Sequence, residues 1–256
     1  MREANDRHGR LRTPSLLAAA AAILAAGLAV AAEPKREPDL PAGRLGTVAP
    51  DSRAGGSISA ARPQREGSGS GPSAPRPPEI EWRRSRALGS PTAGSLALGV
   101  MLPAEGRSWV SWDPVERETP NRWWRRWGTD RLLRVTLAVV RAHAAAHPGA
   151  PRVLIGDLSR PHGGDFGTRF GPIGHVSHQN GLDVDVYYPR IDGREKPPLR
   201  PDQVDVELAQ ELVDRFVAAG ATSVFVGPSL PLTGPAGVVV PLVNHDNHLH
   251  ARLPAA

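Results

Sequence analysis

A chain of 256 residues has room for one domain of ordinary size with extensions, and the absence of cysteine excludes a disulfide framework and any thiolate metal site. The formal charge of +5 does not describe a nucleic-acid binder. Residues 1–80 hold 11 Lys+Arg against 8 Asp+Glu and residues 81–256 hold 20 against 18, so the basic excess is not concentrated on the part expected to fold.

The first 32 residues have the pattern of an export signal. Arg2, Arg7, Arg10 and Arg12 form a basic start, residues 16–32 carry no charge, and Ala29-Val30-Ala31 offers small residues for cleavage before Glu33-Pro34. The uncharged stretch is alanine-rich and short of the ~20 residues that span a bilayer. A cleaved signal is therefore expected, with an uncleaved N-terminal anchor as the alternative and no other membrane contact. Residues 33–80 contain 22 Pro, Gly or Ser in 48 positions and no aromatic. Such a segment buries too little apolar surface to offset its ordering entropy, which predicts a disordered linker. The folded domain is expected over 81–256, where all six tryptophans lie.

Within that domain, residues 96–102 suggest a short strand or turn-rich entry, followed by a loop over 103–120. Thr129 can cap a helix reaching about His147, with Leu132, Leu133, Val135, Val139 and Val140 on its apolar face, and Pro148-Gly149 stops it. A short buried strand is expected at 153–155, then a glycine-rich loop over 158–179. Residues 182–188 alternate apolar and acidic side chains, the period-2 signature of a half-buried strand. Asp202 can cap a second helix through Ala219, and further strands are expected at 222–226, 238–242 and 248–253. Helices and strands mix without a regular βαβ rhythm. The expected class is α+β, with a small, mainly antiparallel sheet and flanking helices.

Six of the nine histidines fall between positions 162 and 250. Alternation along a strand places His248 and His250 on one face, with Leu249 and Ala251 on the other, and does the same for Asp183 and Asp185 against Leu182, Val184 and Val186. His178 stands just before the central strand, at the end of a loop whose glycines allow a sharp return. Imidazoles and carboxylates gathered in this way suit a hydrolytic zinc, which needs three N/O ligands and an open fourth position. The spare histidine of the His-x-His pair is then placed to take a proton from water.

Ser177-His178-Gln179-Asn180-Gly181-Leu182-Asp183-Val184-Asp185 resembles the signature of the penicillin-insensitive murein endopeptidases, of the lysostaphin/D-Ala-D-Ala-peptidase/hedgehog zinc superfamily. Gly156-Asp157, Gly163-Gly164, Gly174-His175 and the string from His245 to Leu253 are similar to that family as well. The resemblance implies one catalytic zinc held by His178, Asp185 and His250, with the zinc site on the sheet face and His248 as base. It implies hydrolysis of D-alanyl–meso-diaminopimelyl cross-links of peptidoglycan in the periplasm or elsewhere in the cell envelope, with His175 and His245 lining the site. The chain departs from well-known members in lacking cysteine, in its long proline-rich N-terminal stretch and in its short end after Leu253.

Other roles are open from the residues alone. Asp183 can orient a ligand imidazole or cap a backbone group, and His245 can meet substrate or sit in a loop. Arg160 can hold a substrate carboxylate or the developing oxyanion, or brace its own loop. The cluster Trp123-Trp124-Arg125-Arg126-Trp127 can stack on wall polymer or pin a loop to the core. Two rival functions share the metal kit: a D,D-carboxypeptidase or D-Ala-D-Ala dipeptidase, and a zinc-containing wall-binding module without turnover. The second has no use for a base beside the metal.

Overall fold

The computed structural model describes residues 79–168 and 174–255, within the second of the two units into which the chain divides, Gly67–Ala256. The expected export signal, and the expected linker up to residue 78, lie outside the described residues. Among the described residues no helix is long and apolar enough to cross a membrane.

The strands are β1 (Arg86–Ser90), β2 (Ala93–Ala97), β3 (Val100–Met101), β4 (Trp109–Ser111), β5 (Trp127–Gly128), β6 (Val153–Ile155), β7 (Asp183–Tyr187), β8 (Ser223–Val226), β9 (Val239–Pro241) and β10 (His248–Arg252). Among the described residues the α-helices are α1 (Asp130–Ala146) and α2 (Val206–Ala218). Six strands form the central sheet in the order β4-β6-β7-β10-β8-β9. Its three inner pairings are antiparallel, while both edge pairings, β4 with β6 and β8 with β9, are parallel. The class is α+β as expected, but the sheet is mixed. β1 and β2 form a separate hairpin, and β3 pairs with β5.

Alternation decides which layer each side chain joins. Val184 and Val186 of β7 and Leu249 and Ala251 of β10 are fully buried against Leu132, Leu133 and Leu137 of α1 and Leu212 and Phe216 of α2. Burying each such leucine contributes roughly 1.5–3 kcal/mol, so the helical layer and this sheet face hold one another. The polar side chains of the same strands take the opposite face. There Val110, Leu154, Trp112 and Tyr187 form a second, smaller apolar cluster.

Both helices start on side-chain caps. Thr129 Oγ1 accepts from the Leu132 amide at 3.1 Å, as the sequence suggests. α2 starts on Asp205, whose Oδ1 accepts from the Leu208 amide at 3.1 Å, and not on Asp202. Pro201, Asp202 and Gln203 instead form a separate 3-10 turn, and the extended Val204 behind it buries its side chain, so the helix nucleates three residues later. The expected loop over 103–120 contains an edge strand, β4, because Trp109 and Val110 have a core to enter.

A buried ion pair ties the segment after β4 to the loop after β6. Arg125 and Asp157 are 0% and 1% exposed, and Arg125 Nε donates to Asp157 Oδ1 at 2.7 Å while Nη2 contacts Oδ2. Asn121 Nδ2 donates to the same Oδ1 at 2.9 Å. Burial alone would raise the Asp157 pKa, but the bonds from Arg125 and His175 outweigh it and hold the carboxyl below the usual carboxylate range.

Two predictions follow from this scaffold. At Gly163, with φ +66°, an added Cβ would sit 2.1 Å from the Gln179 carbonyl, whereas at Gly164, with φ +77°, it meets nothing within 4 Å. Gly163→Ala should then cost well over the roughly 1 kcal/mol expected of Gly164→Ala in chemical denaturation, and equal costs would contradict the close approach. Asp157→Asn leaves the Arg125 charge buried and should destabilise by about 3–5 kcal/mol at pH 7. Because the folded carboxyl titrates below its unfolded value, this contribution is present above pH ~4 and is lost as pH falls further. Unfolding curves of wild type and variant should therefore converge only below pH ~4; a gap constant down to pH ~2 would refute the assignment.

Candidate metal centre and active-site cleft

The antiparallel register of β7 and β10 sets His250 opposite Asp185, His248 opposite Tyr187 and Arg252 opposite Asp183. Directly paired side chains on one sheet face lie about 4.5–5.5 Å apart at Cβ, close enough to share a small ion. His178 arrives from the loop before β7 with a left-handed backbone, φ +66°, which is unusual for a residue with a side chain. Its amide donates to Asp183 Oδ2 at 3.1 Å, and its Nδ1 bonds to the Leu158 carbonyl, so two contacts hold the strained conformation.

Three donor atoms converge as a result. His178 Nε2 is 3.2 Å from His250 Nδ1 and 3.3 Å from Asp185 Oδ1, and His250 Nδ1 is 3.2 Å from that oxygen. A tetrahedral ion with bonds of about 2.0–2.1 Å needs donors roughly 3.3–3.4 Å apart. The tautomers agree with this use. The Leu158 carbonyl can only accept, so His178 carries its proton on Nδ1 and directs a lone pair from Nε2. Asp183 Oδ1 accepts from His250 Nε2 at 2.9 Å, which frees Nδ1. Asp185 Oδ1 is buried and has no hydrogen-bond partner among the described residues, an arrangement that calls for a cation. The donor set therefore fits a zinc-type ion.

The electrostatics follow the same pattern. Burial opposes ionisation of Asp185, but the surrounding imidazoles of His178, His248 and His175 outweigh it and hold its pKa well below the usual carboxylate value. Burial opposes charge on His250 too, yet the bond to Asp183 and the nearby Asp185 carboxylate raise its pKa to about 9 when no metal competes for the ring. For His178, fully buried, burial prevails and the pKa falls. Asp183 plays both roles left open by the sequence, orienting the His250 ring and capping the His178 amide. Arg252 Nε donates to its Oδ1 at 2.6 Å and fixes it in place.

His175 stands beside this triangle. The donor atoms of His175, His178 and Asp185 also lie within 4.8 Å of one another. However, His175 Nε2 is bonded to Asp157 Oδ2 at 2.7 Å and is 3.7 Å from Asp185 Oδ2. It is therefore a fourth group around the position, with the shorter, unengaged triangle ending in His250. Phe166 packs on it, with ring centroids 5.1 Å apart. Burial works against its charge, but Asp157 and Asp185 prevail and raise its pKa.

A cleft of about 680 Å³ opens beside the donor triangle; of its three residues Asp185 lines the cleft, together with Asp157, His175 and His248, with Tyr187 and Trp112 among its walls. His248 Nδ1 is 2.7 Å from Asn247 Oδ1, which accepts, so Nε2 keeps its lone pair 3.9 Å from Asp185 Oδ1. Burial lowers the His248 pKa to about 4, against the pull of Asp185, so the ring is neutral at neutral pH. His245 stacks on His248 with centroids 4.8 Å apart and bonds through Nδ1 to the Val243 carbonyl; it is not among the cleft-lining residues.

Arg160 is also outside the lining: its guanidinium donates to the Asp165 carbonyl at 2.8 Å, the loop-bracing alternative. The cations that do line the cleft are Arg117, Arg190, Arg194 and Lys196, none of which the sequence singled out. They come from irregular segments, where no periodicity reveals direction. Tyr187 was legible, since it continues the Asp183, Asp185 alternation. In the tryptophan cluster, Trp124 packs against Phe166 and under the Arg125 guanidinium, pinning the loop, and Trp123 is exposed.

A family model described as penicillin-insensitive murein endopeptidase matches residues 87–218, just over half of the chain. A protein of that name from Yersinia pestis is 30% identical over 193 residues, covering 64% of this chain and 66% of its own. One from Haemophilus influenzae is 28% identical over 204 residues, 70% of this chain and 66% of its own. One from Yersinia enterocolitica is 32% identical over 127 residues, 40% of this chain and 44% of its own. The chain thus spans about half to two thirds of these curated relatives. On the extent of the family match, the chain belongs to the penicillin-insensitive murein endopeptidase family.

Proposed function

We propose that the chain is an exported, zinc-dependent endopeptidase that hydrolyses peptide cross-links of murein at the D-alanyl–meso-diaminopimelyl bond. The observation that carries the reading is the triangle of converging donors, His178 Nε2, Asp185 Oδ1 and His250 Nδ1, whose Asp185 lines an open cleft beside a neutral histidine. The relatives' names supply the substrate class. The wider placement among lysostaphin-type zinc peptidases rests on the same strings of residues.

His178, Asp185 and His250 would hold the ion. When bound, zinc supplies Lewis acidity, polarising a peptide carbonyl and making a nearby water more acidic. The chain's own groups do the rest. His248 Nε2 takes a proton from the attacking water and returns it to the leaving amine. Asn247 keeps the ring in the tautomer this requires, and stacking by His245 fixes its plane. Asp183, bridged to Arg252, holds the His250 ring in place. The buried Tyr187 phenol, its pKa pushed up by burial, remains a hydrogen-bond donor at the cleft wall. The cleft cations suit the free carboxylates of a diaminopimelate-containing stem peptide.

Purified protein with zinc should release monomeric muropeptides from cross-linked dimers, read by mass spectrometry. Chelation or His250→Ala should abolish release, and His250→Ala should lose the zinc held in the cleft; full activity in either case would remove the metal mechanism. Release of terminal D-Ala from a pentapeptide monomer alone would make the protein a carboxypeptidase, and binding without turnover a wall-binding module. His248→Ala should retain zinc while kcat falls by about 10²–10⁴. A change confined to KM would assign His248 to binding.

A further inference from the structure

α1 and α2 pack against each other in the helical layer, on the sheet face opposite the cleft. At the C-terminal end of α1, His143 and His147 are spaced i,i+4 and so share one side of the helix. Facing them from α2 is Glu211. His143 is 1% exposed, yet neither of its ring nitrogens has a hydrogen-bond partner among the described residues. Its Nδ1 lies 3.3 Å from Glu211 Oε2, without the alignment of a hydrogen bond. His147 Nε2 contacts that same oxygen. One donor from each residue falls within 4.8 Å of the others.

We infer that His143, His147 and Glu211 form a second metal site, a structural clasp between the two helices for a divalent transition ion of the zinc type. Two imidazoles and one carboxylate are a preferred donor set for such ions, and water can complete the coordination. Arg215 Nε donates to Glu211 Oε1 at 2.5 Å, which engages that oxygen and leaves Oε2 turned to the imidazoles. Orientation of a ligating carboxylate by a hydrogen-bonded neighbour is the usual support of a metal site. The ion has a route in, because the His147 and Glu211 side chains are 34% and 24% exposed. It would also give one nitrogen of the buried His143 ring the partner that this nitrogen otherwise lacks among the described residues. The site lies apart from the cleft, so its role is to tie α1 to α2.

The test is zinc stoichiometry by mass spectrometry on untagged full-length protein, stripped with chelator, reloaded and desalted. Wild type should retain two equivalents, His147→Ala one, Glu211→Gln one, Asp185→Asn one and Asp185→Asn/His147→Ala none. The Tm of Asp185→Asn should rise on adding zinc, and that of the double variant should not. Murein hydrolysis by zinc-loaded His147→Ala should match wild type. A single wild-type equivalent, kept in His147→Ala and lost in Asp185→Asn, would overturn the clasp while leaving the cleft reading intact. Two equivalents in Asp185→Asn would instead remove the cleft site.

Discussion

The pairing of β7 with β10 is the constraint on which the site depends. It sets His250 opposite Asp185 and Arg252 opposite Asp183, so one register delivers two of the converging donors and the groups that orient them. The residues between them, Val184 and Ala251, are fully buried against the helices. A slip of one residue would turn the histidines into the core and the aliphatic side chains into the cleft. Hydrophobic burial on one face therefore fixes the polar geometry on the other.

The third donor reaches the site by a different device. His178 is held in a left-handed conformation by two local bonds, one from its amide to Asp183 and one from its ring to the Leu158 carbonyl. Such a conformation costs of order 1–3 kcal/mol and persists only where its surroundings over-determine it. Asp183 ties this loop to the sheet, since its two oxygens engage the His178 amide on one side and His250 and Arg252 on the other. Behind it, the Arg125–Asp157 pair carries the order one step further, through His175 and Phe166. The cleft floor is thus preorganised, while the cations at its rim sit on irregular segments and range from the half-buried Arg190, paired with Asp192, to the exposed Arg117, Arg194 and Lys196.

Much of this was legible in the sequence where a period exists. The alternation at 182–188 and 248–253 located β7 and β10 and the face each residue takes, and Thr129 marked the start of α1. Where the chain has no period, the reading stopped. The β1–β2 hairpin is largely exposed and carries no apolar alternation. β4 is three residues long inside a polar stretch, and its burial on the sheet edge is a tertiary event. Asp202 and Asp205 are equally good caps on paper, and the burial of Val204 decides between them. Arg160 was a candidate for holding a substrate carboxylate or the developing oxyanion, but its guanidinium reaches the Asp165 carbonyl, whereas Arg117, Arg190, Arg194 and Lys196 line the cleft from separate loops. The pairing of His143 and His147 with Glu211 needs the α1–α2 contact, which no local pattern encodes.

The most direct test of the central claim is a crystal structure of zinc-soaked protein with anomalous data at the zinc edge. The account predicts a peak within about 2.0–2.2 Å of His178 Nε2, His250 Nδ1 and Asp185 Oδ1, with an open position facing the cleft. An empty triangle at saturating zinc, with these side chains as described, would contradict it.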